Sequence, residues 1–433
     1  MLRLRLLLVI ALAALVAAPV AAQTEVVWWH AMGGALGEKL NEIAAGFNET
    51  QDEYVVTPVY RGSYAETMTG AIAAFRAGEQ PHIVQVFEVG TATMMAAEGG
   101  IYPVHELMEE YSDGWDQSAY LPAVISYYVS DDGNLLSLPF NSSTPVLWYN
   151  QDALDELGLE VPSTWEELEA ASNTAVENGW ECGMTSAWQT WVQLENFSAW
   201  HDLPFATNNN GYAGLDTEMA IDNEAVINHV EQLNRMTENN AFVYAGREGA
   251  GQPMFLNQEC VFWFNSSAGY GAVNTGAEFE FGQTMMPVDT GVREEAQNSI
   301  IGGATLWVLQ GHEEEEYRGV AEFFEYLSTP EVQADWHQFT GYVPITIAAY
   351  ELSQEQGFYE ENPGTDTAIQ QLTLNEPTPN SRGLRLGNFV QIRTIMDEEL
   401  EAVWSDQKTP EQAIDAIVRR ANEQLRQFEA ANR

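Results

Sequence analysis

The chain has 433 residues, with 64 Asp or Glu against 17 Lys or Arg, a formal net charge of −47 and only two lysines, Lys39 and Lys408. Such a surface repels nucleic acid and anionic membranes, which excludes polyanion-binding functions. It fits a halophilic protein that works in concentrated salt, where screening removes self-repulsion, or a generic acidic extracellular protein. The length exceeds one ordinary domain, and 13 Trp with 17 Tyr can fill a large core, so two folded lobes are expected and disorder is not.

Arg3 and Arg5 precede an apolar run, Leu6–Val20, and Val20-Ala21-Ala22 offers small residues for cleavage before Gln23. The pattern reads as a signal peptide over residues 1–22, cleaved after Ala22, that exports the protein to a Gram-negative periplasm. The run is shorter than the roughly 20 residues a membrane span needs, and no Cys follows it to carry a lipid. In an oxidising compartment Cys182 and Cys260 could pair, or stand as two buried thiols. The seven His show no ligand spacing, so no metal and no cofactor is expected.

Glu25–His30 reads as the first strand, and Gly34–Phe47 as an amphipathic helix with Leu36, Leu40, Ile43 and Phe47 on one face. A strand at Tyr54–Tyr60, a helix at Thr67–Phe75, a strand at His82–Val86 and a helix from Thr91 continue the alternation. It predicts a mainly parallel sheet covered by helices, with ligand-facing residues just past the strand ends. Those positions are the loop after His30, Arg61–Tyr64, and Glu88. Glu88 can accept hydrogen bonds from ligand hydroxyls, or serve only as a first-turn helix acid.

The stretch Leu138–Asn150, LPFNSSTPVLWYN, is the centre of the reading. Pro139 brings the chain in extended. Asn141 to Thr144 then set four small polar side chains in a loop, and Val146–Tyr149 reads as a buried strand. A polar loop between rigid strands suits a small polar ligand; it also fits an ordinary turn.

Thr164-Trp165 opens a helix capped by Ser163 or Thr164. Gly183–Trp200 is rich in aromatics, and Ala225–Met236 is helical. Cys260–Phe264 is a strand that runs into Asn265-Ser266-Ser267. Phe281–Pro287 leads into a polar linker, Val288–Gln297. Gly302-Gly303 lets a ligand approach the backbone at the start of another apolar run. Two acidic helices, Glu313–Leu327 and Glu331–Phe339, precede a return connection at Gly341–Pro344, and the tail from Gly383 is mostly helical. Tyr60, Tyr64 and Tyr342 fall at loop positions and offer a rigid ring with a polar tip, which serves a polyol ligand or a core equally. In a chain this poor in cations, Arg393 is either the partner of a phosphate or carboxylate, or part of a surface ion pair with Asp397 or Glu398. There is no G-x-S-x-G, H-E-x-x-H, Walker A or EF-hand pattern, and Asp289-Thr290-Gly291 occurs once, in a polar linker. No enzyme activity is expected.

Taken in order, WWHAMGG, AAFRAGEQPHIVQVFEVGTATMM, PFNSSTPVLWYN, ENFSAWHDLPFA, IIGGATLWVLQG, WHQFTGYVPIT and GLRLGNFVQIRTIMDEELEAVW resemble the sn-glycerol-3-phosphate-binding proteins of ATP-driven uptake systems, over essentially the whole mature chain. The resemblance implies an α/β, bilobal, type II periplasmic-binding-protein fold, its two lobes joined by crossing hinge strands. Residues 23–139 plus 288–340 would form one lobe, and 140–287 plus 341–433 the other. It implies a monomer that captures sn-glycerol-3-phosphate by hinge closure and delivers it to an ABC permease, with diesters such as glycerophosphocholine as further candidates. It places ligand contacts at Tyr64, Glu88, Ser143, Ser266, Gly303, Tyr342 and Arg393, with Trp165 lining the glycerol side. Arg393, Ser143, Ser266 and the Gly303 amide would hold the phosphate, Glu88 the glycerol hydroxyls, and the two tyrosines would close over the ligand. Trp263, Phe264 and Asn265 depart from the smaller residues expected before Ser266. A receptor for a neutral oligosaccharide, or an exported glycerophosphodiester hydrolase, are the alternatives; the first needs no phosphate cradle, the second a metal or nucleophile site.

Overall fold

The computed structural model describes residues 23–97 and 99–433, so the signal peptide expected at residues 1–22 lies outside the described residues. β1 (Thr24–His30) runs parallel to both its neighbours, β2 (Tyr54–Tyr60) and β3 (Ile83–Phe87). The intervening helices, Gly34–Thr50 and Tyr64–Ala77, follow the apolar periodicity, and Ser63 with Glu66 forms a capping box on the second.

The first sheet is mixed rather than mainly parallel. Its other half is β4 (Ile101–Tyr102), β5 (Leu138–Ser143) and β11 (Gly302–Leu309), and β11 runs antiparallel to β3, β4 and β5. The βα alternation speaks only for the first three strands. β11 arrives from far along the chain, and nothing local sets its direction.

The second sheet holds β6 (Pro145–Asn150), β7 (Cys182–Ser186), β8 (Phe242–Val243), β9 (Cys260–Ser266) and β10 (Phe281–Thr284), in the order β10-β6-β9-β7-β8. Cys182 and Cys260 pair in register on β7 and β9 and form a buried disulfide. It closes a loop of 78 residues, which restricts the unfolded chain. The helices Glu224–Thr237, Phe389–Trp404 and Pro410–Asn432 pack against one another on this side of the molecule. Among the described residues no helix is long and apolar enough to cross a membrane.

Asn141 to Thr144 do not form a loop. β5 continues through Ser143 in the first sheet, β6 starts at Pro145 in the second, and Thr144 alone separates them. Their polar side chains led to the loop expectation, but the structure buries and mostly pairs them: Asn141 bonds Gln85 and Tyr64, and Thr144 meets Gln371. Pro139 has no N–H for the ladder and sits beside a register shift opposite Ala304/Thr305. Phe140 stacks on Trp336 and meets Trp28 edge-on, which anchors β5 from beneath. Burying such a ring contributes about 1.5–3 kcal/mol. The chain crosses between the sheets again over residues 285–301, a stretch without a strand.

Candidate functional site

Between the two sheets lies a cavity of ≈ 570 Å³. Tyr64, Glu88, Ser143, Ser266, Gly303, Tyr342 and Arg393 all line it. They come from both sides: Glu88 just past β3, Ser143 at the end of β5, Ser266 at the end of β9, and Arg393 in the first turns of its helix.

Trp165 is not at the wall. It starts the helix Trp165–Glu177 behind a Thr164–Glu167 capping box, is 1% exposed, stacks on Phe264 and meets His229 edge-on. Its ring is turned into the core of the second sheet. Trp188 and Trp191 line the cavity instead. Both lie in the aromatic-rich stretch visible in the sequence, but the sequence does not say which ring faces inward. Trp188 adopts φ 46°, a left-handed conformation unusual for a bulky residue. The Trp191 indole N–H is buried without a hydrogen-bond partner among the described residues.

Two glycines let the strands and rings meet. Gly303 lies opposite Ser142 at φ +103°, and a Cβ there would sit 1.9 Å from the Asn141 carbonyl oxygen. A Cβ on Gly302 would fall 2.6 Å from the Trp191 ring. Ser143, Gly302 and Gly303 therefore line the cavity as one tight backbone corner.

A polar chain orients the first side. Ala31 N–H donates to Gln85 Oε1 at 2.7 Å, Gln85 Nε2 to Asn141 Oδ1 at 2.8 Å, and Asn141 Nδ2 to the Tyr64 hydroxyl at 2.9 Å. Tyr64 stacks flat on Phe87, and Tyr342 on Trp336. Burial raises the pKa of both tyrosines, so they present neutral hydroxyls. On the second side, Ser266 Oγ accepts from Ala268 N–H at 3.0 Å. Trp263 and Phe264 are wholly buried; Asn265 alone of the three unexpected residues reaches the cavity.

Arg393 supplies the charge. It pairs with neither Asp397 nor Glu398: Asp397 accepts from Gln189 and Glu398 from Arg420. Its partners are Glu195, through Nε and Nη2 at 2.7 Å each, and Glu88, through Nη2 at 2.5 Å. Burial works against the guanidinium charge, but the two carboxylates outweigh it and raise the Arg393 pKa. Burial pushes Glu88 up, against the pull of Arg393 and with the help of Glu195. The arrangement can offer an anion one fixed cation among neutral hydroxyl and indole donors.

Apart from the cavity, His82, His312 and Glu316 gather closely enough to hold a metal ion. However, His82 Nδ1 accepts Val27 N–H at 2.9 Å, so neutral His82 carries its proton on Nε2, toward Glu316 at 3.4 Å. A protonated ring nitrogen is a hydrogen-bond donor, not a metal ligand. Asp289 forms a local turn, its carboxylate accepting from Gly291 N–H.

A profile for bacterial extracellular solute-binding proteins matches residues 42–367. The sn-glycerol-3-phosphate-binding periplasmic protein UgpB of Yersinia pseudotuberculosis is 47% identical over 95% of this chain and 94% of its own. That of Salmonella typhimurium is 46% identical over 95% of both. Among solved structures, UgpB from Mycobacterium tuberculosis in complex with glycerophosphocholine superposes with a TM-score of 0.77 at 18% identity, covering 94% of this chain and 99% of that one. The GacH receptor of Streptomyces glaucescens, solved unliganded and with acarbose, gives 0.78 at 18% identity over 94% of this chain and 100% of that one. At these identities the two structures establish the type II fold, two α/β lobes, and leave the ligand to the site.

Proposed function

The chain belongs to the bacterial extracellular solute-binding proteins, and on that premise we propose that it captures sn-glycerol-3-phosphate or a glycerophosphodiester in the periplasm and delivers it to an ABC permease. The observation that carries the reading is the cavity itself: six residues from both sides line it together with Arg393, the cation of its wall among the described residues. Arg393 holds the phosphoryl group with the Ser143 and Ser266 hydroxyls and the Gly303 corner. Glu88, Tyr64 and Tyr342 take the glycerol hydroxyls, and Trp188 and Trp191 replace Trp165 as the aromatic wall. Closure of the lobes excludes water, which strengthens each charge-assisted bond. Binding, not turnover, is the activity, by a single chain with no nucleic-acid partner, freed of its leader after Ala22.

Calorimetric titration with glycerol-3-phosphate, glycerophosphocholine and maltose tests this. One-to-one binding of the phosphate ligands and none of maltose is expected. In Arg393→Ala the phosphate ligands should weaken by about a hundredfold or more. Maltose binding alone would replace the reading with a sugar receptor, and unchanged affinity in Arg393→Ala would remove that residue from the site.

A further inference from the structure

The five N–H donors of Arg393 are not equivalent, and their partners decide how it can meet a ligand. The Nε and Nη2 donors form a two-point fork with the two oxygens of Glu195. Nη2 gives its second hydrogen to Glu88 Oε1. Among the described residues, no protein group takes the two Nη1 donors.

The two carboxylates are mounted differently. Glu195 belongs to the same lobe as Arg393 and is 1% exposed, in the π-helical turn Trp191–Asn196. Such turns are short, costly insertions that gather at functional sites. This one is locked from both ends: Asn196 Nδ2 donates to the Trp191 carbonyl at 3.1 Å, and Asn196 Oδ1 accepts from Ile300 N–H at 2.9 Å. Gln193 fixes its middle through Ser186 and His229. Glu88, by contrast, reaches across from the first lobe on a single three-residue turn and holds Arg393 at one point.

We propose that Glu195 is the positioning residue of the site: it clamps the guanidinium along its Nε–Nη2 edge, so that an arriving phosphate displaces Glu88 rather than Glu195, and Glu88 then takes a proton from solvent. The inference rests on the phosphate-ligand reading above. Two carboxylates and a phosphate around one guanidinium would leave at least two uncompensated negative charges in a buried site. One group must be neutralised. Glu88 is the group that loses its cation, and burial already disfavours its charged form. The groups facing it from the core of the first sheet are Tyr64, Tyr127, Tyr128 and Tyr342, which burial keeps neutral, and from the side of the second sheet Arg393 and Glu195. In the protonated form Glu88 can donate to a ligand hydroxyl, and the freed Nη2 hydrogen joins Nη1 in a fork to the phosphate.

Glycerophosphoglycerol is the probe, because a phosphodiester has no ionisation near neutral pH and this one, unlike glycerophosphocholine, brings no cation of its own. Its binding heat is measured in two buffers of different ionisation enthalpy, from about pH 5 to about pH 8. Wild-type protein should take up close to one proton, with affinity weakening by up to about tenfold per pH unit as pH rises. Glu88→Gln should bind with no uptake. Glu195→Gln should bind about tenfold more weakly and with reduced uptake, since one negative charge fewer surrounds the guanidinium; a merely structural role would leave the proton count alone. Glu195→Asp should recover part of both. Binding by wild type with no proton uptake would overturn this inference and leave the functional reading intact, as would wild-type affinity and uptake in Glu195→Gln. Failure of wild type to bind any phosphate ligand would overturn the functional reading and the inference with it.

Discussion

Two crossings between the sheets adjoin the cavity wall, at Ser143 and at Gly302, and they are built differently. In the first, β5 passes to β6 through Thr144 alone, and both strands are bound into sheet ladders. In the second, residues 285–301 carry no strand: backbone bonds hold them only at Val288, Gln297, Ser299 and a local turn at Asp289, and side chains stitch down other positions. Met286 N–H donates to Gln371 Oε1, Asp289 N–H to His201 Nε2 and Ile300 N–H to Asn196 Oδ1. A ladder uses backbone groups that every residue but proline supplies. A side-chain stitch depends on one residue and its protonation. The second crossing is therefore where substitution and pH should act most. Gln371 touches both, since its Nε2 also donates to the Pro145 carbonyl at 2.7 Å and to Thr144 Oγ1 at 3.2 Å.

The strongest disruption is expected where the two crossings meet. Gly303→Ala forces a Cβ into the Asn141 carbonyl at a positive φ. It should cost about 3 kcal/mol or more in urea unfolding and abolish ligand binding. A variant as stable as wild type would mean that β5 and β11 can part without consequence.

Gln371→Leu keeps the volume but strands the Met286 N–H and the Pro145 carbonyl in a buried site. The expected loss is about 2–3 kcal/mol. A loss within experimental error would show that the ladder of the first crossing holds the second as well.

The pH dependence sharpens the contrast. Burial lowers the His201 pKa to about 4 from 6.5. Its Nδ1–H donates to the Phe197 carbonyl and its Nε2 accepts from Asp289 N–H, each at 2.8 Å, so the ring has no room for a second proton. The folded pKa lies below the unfolded one. The stabilisation is therefore whole above about pH 6.5 and is lost as pH falls through 6.5 toward 4. By about pH 5 this residue should account for about 2 kcal/mol of the loss. His201→Gln should flatten that part of the stability–pH curve; an unchanged slope would detach His201 from the acid response.

The smallest effect is expected for Thr144→Ala, under about 1 kcal/mol, because Gln371 keeps its bond to Pro145 and both ladders stay intact. If it costs as much as Gln371→Leu, the first crossing depends on side chains too, and the contrast fails.

The site was readable in the sequence to the extent that it follows a topological rule. Glu88, Ser143, Ser266 and Gly303 lie at the ends of apolar runs, and the ends of strands face the cavity. Trp191 and Glu195 carried no such mark. They lie in a helical turn whose π geometry has no local signature, and the resemblance put the aromatic wall at Trp165, whose ring stacks on Phe264 in the core. The loop expected at Asn141–Thr144 failed for a related reason. Small polar residues favour turns in isolation, but here Gln85, Tyr64 and Gln371 engage Asn141 and Thr144 inside the protein.

By itself, the sequence determined the positions of most strands and helices, the excess of negative charge, and the polar residues at the strand ends. These follow from periodicity, composition and chain-local chemistry. The tertiary structure alone decided that β11 enters antiparallel, that Cys182 meets Cys260, that Trp165 turns into the core while Trp191 faces the cavity, and that Arg393 is held by Glu195 and Glu88. Those two carboxylates lie 198 and 305 residues from Arg393 along the chain. Periodicity records which face of an element is buried, but not what is buried against it, and the charge centre of this protein exists only in the second kind of information.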